Sequence, residues 1–526
     1  MSFVPDTQNK EFQDALNLIQ YTRQSVFLTG KAGTGKSTFL KYICANTKKK
    51  HVVLAPTGIA AINAGGSTLH SFFKLPFYPL LPDDPNFSLQ RGRIHEFFKY
   101  TKPHRKLLEE LELVIIDEIS MVRADIIDAV DRILRVYSRN LREPFGGKQI
   151  LLVGDVFQLE PVVKGDEREI LNRFYPTPYF FSARVFGQID LVSIELQKVY
   201  RQTDSKFIHV LDHIRNNTVG STELQLLNTR YGTQIEQSEA DMYITLATRR
   251  DNVDYINDKK LAELPGDPVT FYGEIMGDFP ESSLPTSQEL VLKPGAQIIF
   301  IKNDFDRRWV NGTIGVISGF DPIEETLYVI TDDGKECDVK RESWRNIRYK
   351  YNEEKKQIEE EELGTFTQYP VRLAWAITVH KSQGLTFSRV VIDFTGGVFA
   401  GGQAYVALSR CTSLEGIQLK KPISRADVFV RPEIVSFSER FNNRTAIDRA
   451  LKQAQADVQY VAAAKAFDKG DFGTFLDEFF KAIHSRYDIE KPNVQRLIRR
   501  KLNIINRLKE ESRALKQAAL EKEKAL

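Results

Sequence analysis

Cysteine is scarce in this chain: Cys44, Cys337 and Cys411 are the only three among 526 residues. Thiols so few and so far apart form no disulfide framework and no cysteine-based zinc module, and they fit a reducing compartment. Long apolar runs are lacking too. With no stretch of about 18 apolar residues, no membrane span is expected. The polar start MSFVPDTQNKEFQD carries no signal core and no mitochondrial-type presequence, which points to a cytoplasmic, bacterial-type setting. Nor does one sign of charge dominate, since 73 Lys and Arg stand against 70 Asp and Glu, a net of +3. A surface coated in positive charge is excluded, so any nucleic-acid site must be a local groove. No internal repeat occurs.

What the chain does have is an ordinary globular balance, 42% hydrophobic and 27% charged, at a length that suggests roughly three or four domains. Residues 1–75 alternate helix and strand. Phe12, Ala15, Leu16 and Ile19 recur at helical spacing, and Ser25–Thr29 and His51–Ala55 are apolar strands. Leu113–Ile116 and Ile150–Val153 follow, each ending in acidic residues. Continuous apolar strands separated by helices predict a parallel sheet buried on both faces. Residues 76–103 interrupt this pattern with five prolines and with Phe77, Tyr78 and Phe87, and read as a small insertion.

A second block of the same kind covers about 180–255 and 366–430, and contains PYFFSA, SIELQ, VRLAWAITV, RVVIDF and YVALSR. Between its halves, residues 290–350 are short strands split by turn residues, with Asp332-Asp333-Gly334 as a hairpin turn, which predicts a small antiparallel barrel. EEKKQIEEEE reads as a solvated turn or helix. From about 433 the chain reads helical. Residues 484–526 carry 12 Lys and Arg against 6 Asp and Glu, with Val494, Leu497, Ile498, Leu502, Ile505 and Leu508 on one face. This segment suits a docking helix or a phosphate contact.

The chemistry starts at Gly30-Lys-Ala-Gly-Thr-Gly-Lys36-Ser37, which fits G-x-x-x-x-G-K-[ST] between a strand and a helix. Gly30, Gly33 and Gly35 let backbone N–H groups, Thr34's included, fold around phosphates, and the helix N-terminus favours the anion. Lys36 would reach the β- and γ-phosphates of ATP, and Ser37 would ligate Mg²⁺. Asp117 ends an apolar strand, placed to hold Mg²⁺, and Glu118 beside it is placed to take a proton from the attacking water. Gln158, after Gly154-Asp155, can reach both the γ-phosphate and that water. Phosphoryl transfer also calls for positive charge. Arg201 in VYRQ and Arg410 in ALSRC are either arginine fingers from the second block or surface salt bridges.

GKAGTGKST, APTGIAA, GGSTLHSFF, VIIDEISM, GDVFQLEPV, LQKVYRQ, TVHKSQGLT and YVALSRC together resemble, in content and order, the PIF-type helicases of superfamily 1 group B, relatives of the RecD-type enzymes. LVIIDEISMVRADIIDAVDRILR is similar to that family's signature, and the resemblance covers roughly residues 8–415. It implies an α/β fold with two RecA-like P-loop domains. Domain 1A would take 1–75 and 104–178, with 76–103 inserted as 1B. Domain 2A would take 179–255 and 366–432, with an SH3-like β-barrel inserted as 2B over 256–365. A helical C-terminal extension would follow over 433–526.

The resemblance also implies ATP- and Mg²⁺-driven 5′→3′ translocation on single-stranded DNA, with unwinding of duplex and plausibly of G-quadruplex, R-loop or fork structures. It carries over Gly30, Gly33, Gly35, Lys36 and Ser37, flanked by Thr38, as the phosphate loop. Asp117 with Glu118 become the metal and water pair, Gln158 the γ-phosphate sensor, Arg201 and Arg410 the arginine fingers, and Gly384 part of the coupling motif. The family's adenine-contacting glutamine falls on Gln13 by spacing. Phe12 stands where the family has Glu, which leaves Gln8 as the alternative.

A sequence-tolerant single-strand track needs phosphate donors and flat surfaces for bases. Pro56, Thr57 and Gly58, then Ser67, Thr68 and His70, offer hydroxyls and N–H groups in the first block; Thr378, His380, Lys381 and Ser382 do so in the second. Phe72 and Phe73 suit the core better than a stacking platform, as does Trp375. Arg307, Arg308 and Trp309 form either a DNA-facing or an unliganded loop. Phe77 and Tyr78 are candidates for a strand-separating wedge, with passive packing as the alternative. The expected partners are single-stranded DNA and single/double-strand junctions, with G-quadruplex DNA or RNA–DNA hybrids as further substrates and a monomer on DNA. An RNA translocase and an ATP-switched binding protein are the competing readings.

Overall fold

The computed structural model describes residues 6–85, 94–163, 165–202, 204–233, 242–306, 308–352, 354–355, 357–487, 490 and 492–525. Phe87 and Arg307 lie outside them. The chain divides into two compact units, Met1–Asn443 and Arg444–Leu526.

The first unit is built on two parallel sheets, so the chain is an α/β protein. Six strands form the larger sheet: β1 (Val26–Gly30), β2 (His51–Ala55), β3 (Ser67–Thr68), β4 (Leu113–Ile116), β5 (Gln149–Val153) and β6 (Val192–Leu196). Their order is β3-β2-β4-β5-β1-β6, and every pairing is parallel. β1, β4 and β5 are buried along their whole length, as continuous apolar runs require. The core above them gathers Phe27, Val114, Ile116 and Leu152 with Val130, Ile133 and Leu134 of helix Ala124–Tyr137. Burying each such side chain stabilises the fold by about 1.5–3 kcal/mol.

That helix carries acids which the fold spends internally. Asp128 accepts from the Tyr175 hydroxyl and from the N–H groups of Arg184 and Val185. Asp125 accepts from the N–H of Leu80, which ties down the 76–103 insertion. Of that insertion, Leu80, Ile94, Phe98 and Tyr100 belong to the same core, while Phe77 is 85% exposed and stacks on His70 at 5.0 Å.

The smaller sheet is also parallel, in the order Ala376–Thr378, Ile244–Ala247, Val390–Asp393, Ile417–Leu419. Between its strands come antiparallel sheets. The largest has five strands drawn from Gln297–Phe300, Ile314–Asp321, Thr326–Thr331, Glu336–Val339 and Val371–Leu373. The Asp332–Gly334 turn joins two of these strands, with the Gly334 N–H on the Thr331 carbonyl at 2.9 Å.

Several expectations need correcting. The SIELQ strand is β6, an edge of the first sheet bonded to β1, so the first sheet domain runs past residue 178. PYFFSA forms a 3₁₀ turn at Phe180–Ser182 packed into the first core. YVALSR is the helix Gln403–Leu408 with every residue buried, and that is why it lacks an amphipathic period. VRLAWAITV splits between two sheets at Ala374–Trp375, and Trp375 packs, only partly buried, on the antiparallel core. The glutamate run is neither turn nor helix but strand Gln357–Gln368, the second arm of a long hairpin with Glu342–Asn352, where Arg345, Arg348 and Lys355 neutralise Glu360, Glu361 and Glu359. The 365/366 boundary falls inside this strand. The hairpin reaches the first core through Ile347 and Tyr349. Residues 433–443 also belong to the first unit, since Ile434 and Phe437 pack in its core, Phe437 at 5.7 Å from Phe27.

The second unit is helical: Arg444–Asp468, Phe472–Ser485 and Pro492–Ala525. The first two form a hairpin closed by Tyr460 on Phe479 and Phe467 on Phe475, at 5.9 and 5.2 Å between ring centroids. On the third, Leu502 and Leu508 are exposed. The side chains of Val494 and Leu497 lie outside the description.

Candidate functional site

The parallel sheet dictates where chemistry can gather. Gly30 closes β1, Asp117 follows β4 and Gly154-Asp155 follow β5, so all three lie at the carboxyl edge of one sheet. Helix Lys36–Asn46 starts there, on Gly35 in a left-handed conformation and with no side-chain cap, so its first N–H groups face the edge. A cleft of about 350 Å³ opens at this point. The loop Ala32–Thr38 forms one wall, Asp117, Glu118, Gly154 and Gln158 the floor, and Arg201, Gly384, Thr386 and Arg410 the opposite wall.

The loop is tightly held. Lys36 Nζ donates to the carbonyls of Gly30 and Lys31 at 2.6 and 3.0 Å. The N–H of Ala32 donates to the Tyr405 hydroxyl, and Lys31 pairs with Asp212 at 2.6 Å. Gly33 has φ +81°, and a Cβ there would lie 2.4 Å from Arg201 Cβ, so glycine is what lets the loop meet the arginine.

Burial sets the electrostatics. It pulls the Lys36 ammonium down to about 8 against the pull of Asp155 and Glu118. Burial, reinforced by the neighbouring Asp117, pushes Glu118 up to about 7. Asp117 is raised as well, again by burial. Glu118 also sits at φ +50°, a left-handed backbone uncommon for a residue other than glycine, a strain of the kind concentrated at functional sites.

The two arginines lie inside. Arg410 is fully buried, its guanidinium donating to the carbonyls of Val406, Ser382 and Leu385 and to Ser409 Oγ, and desolvation with Arg201 nearby lowers it to about 9. Arg201 donates to the Ser409 carbonyl at 3.2 Å. Neither forms an ion pair with a carboxylate among the described residues, so neither is a surface salt bridge. A cleft holding Lys36, Arg201 and Arg410 beside two carboxylates is built to accept a polyanion. Ser37 and Asp117 both line it, and a hydroxyl with a carboxylate is the hard-oxygen donor set that suits Mg²⁺.

Two residues that sequence reasoning missed complete the site. Gln383 Nε2 donates to Glu118 Oε2 at 2.9 Å and to Gln158 Oε1 at 3.0 Å, joining the second half of the unit to two polar groups of the floor. Its place in HKSQG, next to Gly384, was the available signal. Arg215 of helix Ser205–Arg215 is buried against Asp155 at 3.1 Å and Glu195 at 2.8 Å, over the Phe157 ring. Nothing in its local sequence marks it.

Gln13 is not among the cleft residues. It is exposed on helix Lys10–Tyr21, and its amide donates to the Thr7 carbonyl. Pro56, Thr57 and Gly58 follow strand β2, and both polar segments of the first block also start helices. Thr57, after Pro56, caps Gly58–Ala64, and Thr68 caps Leu69–Phe73. Gly58 lies against Ser283 of the second insertion. Thr378 Oγ accepts from the Lys381 N–H, Lys381 is exposed, and His380 faces the exposed Phe399 ring at 6.4 Å. Burial lowers the pKa of both His70 and His380, which favours neutral imidazoles. Ser67 and Ser382 are buried, and Ser382 Oγ is spent on the Val379 carbonyl, so these two hydroxyls do not face a strand. Phe72 and Phe73 are core residues, and Arg308 is committed to Asp304 and Asp338 over the Trp309 ring.

A phosphate loop at the edge of one parallel sheet, faced by Arg201 from the segment after β6 and Arg410 from the second half, defines a P-loop nucleotide-binding protein. The comparisons narrow this class. Residues 4–225 match the family model of the PIF1-like helicase. The chain is 33% identical to the human ATP-dependent DNA helicase PIF1 over 415 residues, which cover 75% of this chain but only 58% of that protein. It is 31% identical to the ATP-dependent DNA helicase Pif1 of Bdellovibrio bacteriovorus, covering 82% of this chain and 91% of that one. Bacteroides Pif1 in complex with ADP-AlF4 superposes with a TM-score of 0.75 at 42% identity, over 82% of this chain and 96% of that one. The same relative bound to single-stranded DNA gives a TM-score of 0.59, with 83% and 97% covered. The chain belongs to the PIF1-like helicase family. No described helix is long and apolar enough to cross a membrane.

Proposed function

We propose that this chain is an ATP-driven DNA helicase that moves 5′→3′ along single-stranded DNA and separates duplex at the junction, acting as a monomer in the cytoplasm. The single observation that carries the reading is the Gln383 bridge. One amide ties the catalytic carboxylate Glu118 and the amide of Gln158 to the segment that also holds Thr378, His380 and Lys381. Occupancy of the nucleotide cleft is thereby linked to a surface suited to DNA phosphates.

In this reading the two parallel sheets are RecA-like motor halves, and the five-stranded antiparallel sheet forms the SH3-like insert. The loop N–H groups, Thr34's among them, and Lys36 bind the β- and γ-phosphates of ATP. Ser37 and Asp117 hold Mg²⁺, which when bound neutralises charge on those phosphate oxygens. Glu118 takes a proton from the water that attacks the γ-phosphorus as the bond to the β-bridging oxygen breaks. Gln158 orients that water, and Arg201 and Arg410 stabilise the charge that develops on the transferring group. Pro56, Thr57, Gly58, Thr68 and His70 form the first half's share of the track. Fork, G-quadruplex and RNA–DNA hybrid substrates engage the same backbone track, which reads no base.

ATP hydrolysis measured with and without single-stranded DNA tests the proposal. Stimulation of at least tenfold is expected. Hydrolysis indifferent to DNA would overturn the motor reading.

A further inference from the structure

Helix Ser205–Arg215 presents two faces. One carries Asp212 to Lys31 of the phosphate loop and Arg215 to Asp155 at the end of β5. Another carries His209 and His213, one turn apart and so side by side, with ring centroids 4.2 Å apart. Glu223, from the start of helix Ser221–Asn228, meets them: its Oε1 lies 3.9 Å from His209 Nε2. One ligand-type atom from each of the three lies within 4.8 Å of the others.

The groups are already oriented. His213 Nδ1 faces the Thr218 carbonyl at 3.2 Å. The Thr218 hydroxyl stands 3.3 Å from the same nitrogen; in the tautomer whose Nδ1 donates to the carbonyl, the free lone pair is on Nε2. A histidine ligand is commonly held this way, its other ring nitrogen donating to a backbone carbonyl. Glu223 Oε2 accepts from the Gly220 N–H at 2.8 Å, which caps the helix and leaves Oε1 toward the histidines.

We infer that His209, His213 and Glu223 form a binding site for a divalent transition-metal ion, Zn²⁺ by its chemistry, with a water as fourth ligand. Two imidazoles and one carboxylate suit Zn²⁺ and disfavour Mg²⁺, which wants oxygen throughout. Ligand atoms around tetrahedral zinc stand closer than those observed, so modest side-chain rotation completes the site. The ion would staple helix Ser205–Arg215 to helix Ser221–Asn228, on the element that sends Arg215 to Asp155.

The test is a Co²⁺ titration of the chelator-treated full chain, without nucleotide or DNA, followed by the visible absorption of tetrahedral Co²⁺ and by competition with Zn²⁺. One equivalent is expected to bind with that spectrum and to be displaced by Zn²⁺. His209→Ala, His213→Ala and Glu223→Gln should each weaken binding at least tenfold, and Zn²⁺ should raise the melting temperature of the parent chain but not of the double variant His209→Ala/His213→Ala. His95→Ala should bind as the parent does. No tetrahedral Co²⁺ species, or binding unchanged in the double variant, would overturn the site. Since the assay uses no ATP, its failure leaves the helicase reading standing, and failure of DNA-stimulated hydrolysis leaves the metal site standing.

Discussion

Gln383 donates its side-chain amide to the Glu118 carboxylate at 2.9 Å, although the two residues are 265 positions apart. The bond crosses from the segment after the smaller sheet's edge strand to the end of β4 in the larger sheet. It offers a direct way for a shift in one half to be felt by Glu118, the proposed water-activating group, in the other. Gln383→Ala should leave ATP binding intact and lower DNA-stimulated hydrolysis by about 10–100-fold, the loss that a hydrogen bond to a charged group represents. Hydrolysis rates with saturating single-stranded DNA measure this; stimulation equal to the parent's would remove Gln383 from the coupling.

Glu118→Gln keeps the volume and removes the base. Turnover should fall by about 10²–10⁴-fold while a fluorescent ATP analogue still binds with parental affinity. Loss of binding together with turnover would point to a structural role instead.

Gly402, at φ +77°, starts the helix Gln403–Leu408, and a Cβ there would lie 2.3 Å from the backbone carbonyls of Phe157 and Gln158. Gly402→Ala should therefore push the two halves of the first unit apart. The expected result is a loss of ATP hydrolysis of roughly tenfold or more, because a misplacement of about an ångström has effects of that order or larger. A parental rate would mean that the contact is not needed in the active state.

Arg215 and Asp155 are a buried pair, and breaking such a pair from one side costs about 3–5 kcal/mol. Denaturant unfolding of Arg215→Met should show a loss of that order, and the double variant Arg215→Met/Asp155→Asn should lose less than the sum of the two single changes. Strict additivity would contradict a direct pairing.

His104 packs at a tilt against Tyr100 at 4.7 Å and Phe72 at 5.3 Å, and burial, reinforced by Lys74, lowers its pKa to about 4 from an ordinary 6.5. Between these values the unfolded chain binds more protons than the folded one. Stability therefore falls as pH drops from 6.5 toward 4, by at most ~3 kcal/mol. Above 6.5 this group contributes no slope. His104→Phe should flatten that part of the profile in melting temperatures taken at several pH values; an unchanged slope would place the acid sensitivity elsewhere.

Much of the site was legible because its chemistry is local in sequence. The loop Gly30–Ser37 and the pair Asp117-Glu118 each follow a strand, and a parallel sheet aligns such strand ends without further information. What was not legible depended on long-range pairing. The run SIEL suits a strand of either sheet, and only its bonds to β1 assign it. Gln403–Leu408 is buried on all sides and so reads as a strand or a helix equally well. The glutamate run shows its strand character only opposite the arginines of Glu342–Asn352. Gln383 and Arg215 are ordinary amide and cation until the fold brings Glu118 and Asp155 to them, and Ser67 and Ser382 look like phosphate donors until burial is known.

The central claim is directional movement on DNA. It is tested most directly by ATP-dependent strand separation of one duplex carrying either a 5′ or a 3′ single-stranded tail, at equal tail length and salt. Separation from the 5′ tail only is expected, and Glu118→Gln should abolish it. Separation from the 3′ tail only, or from neither tail while ATP is consumed, would contradict it.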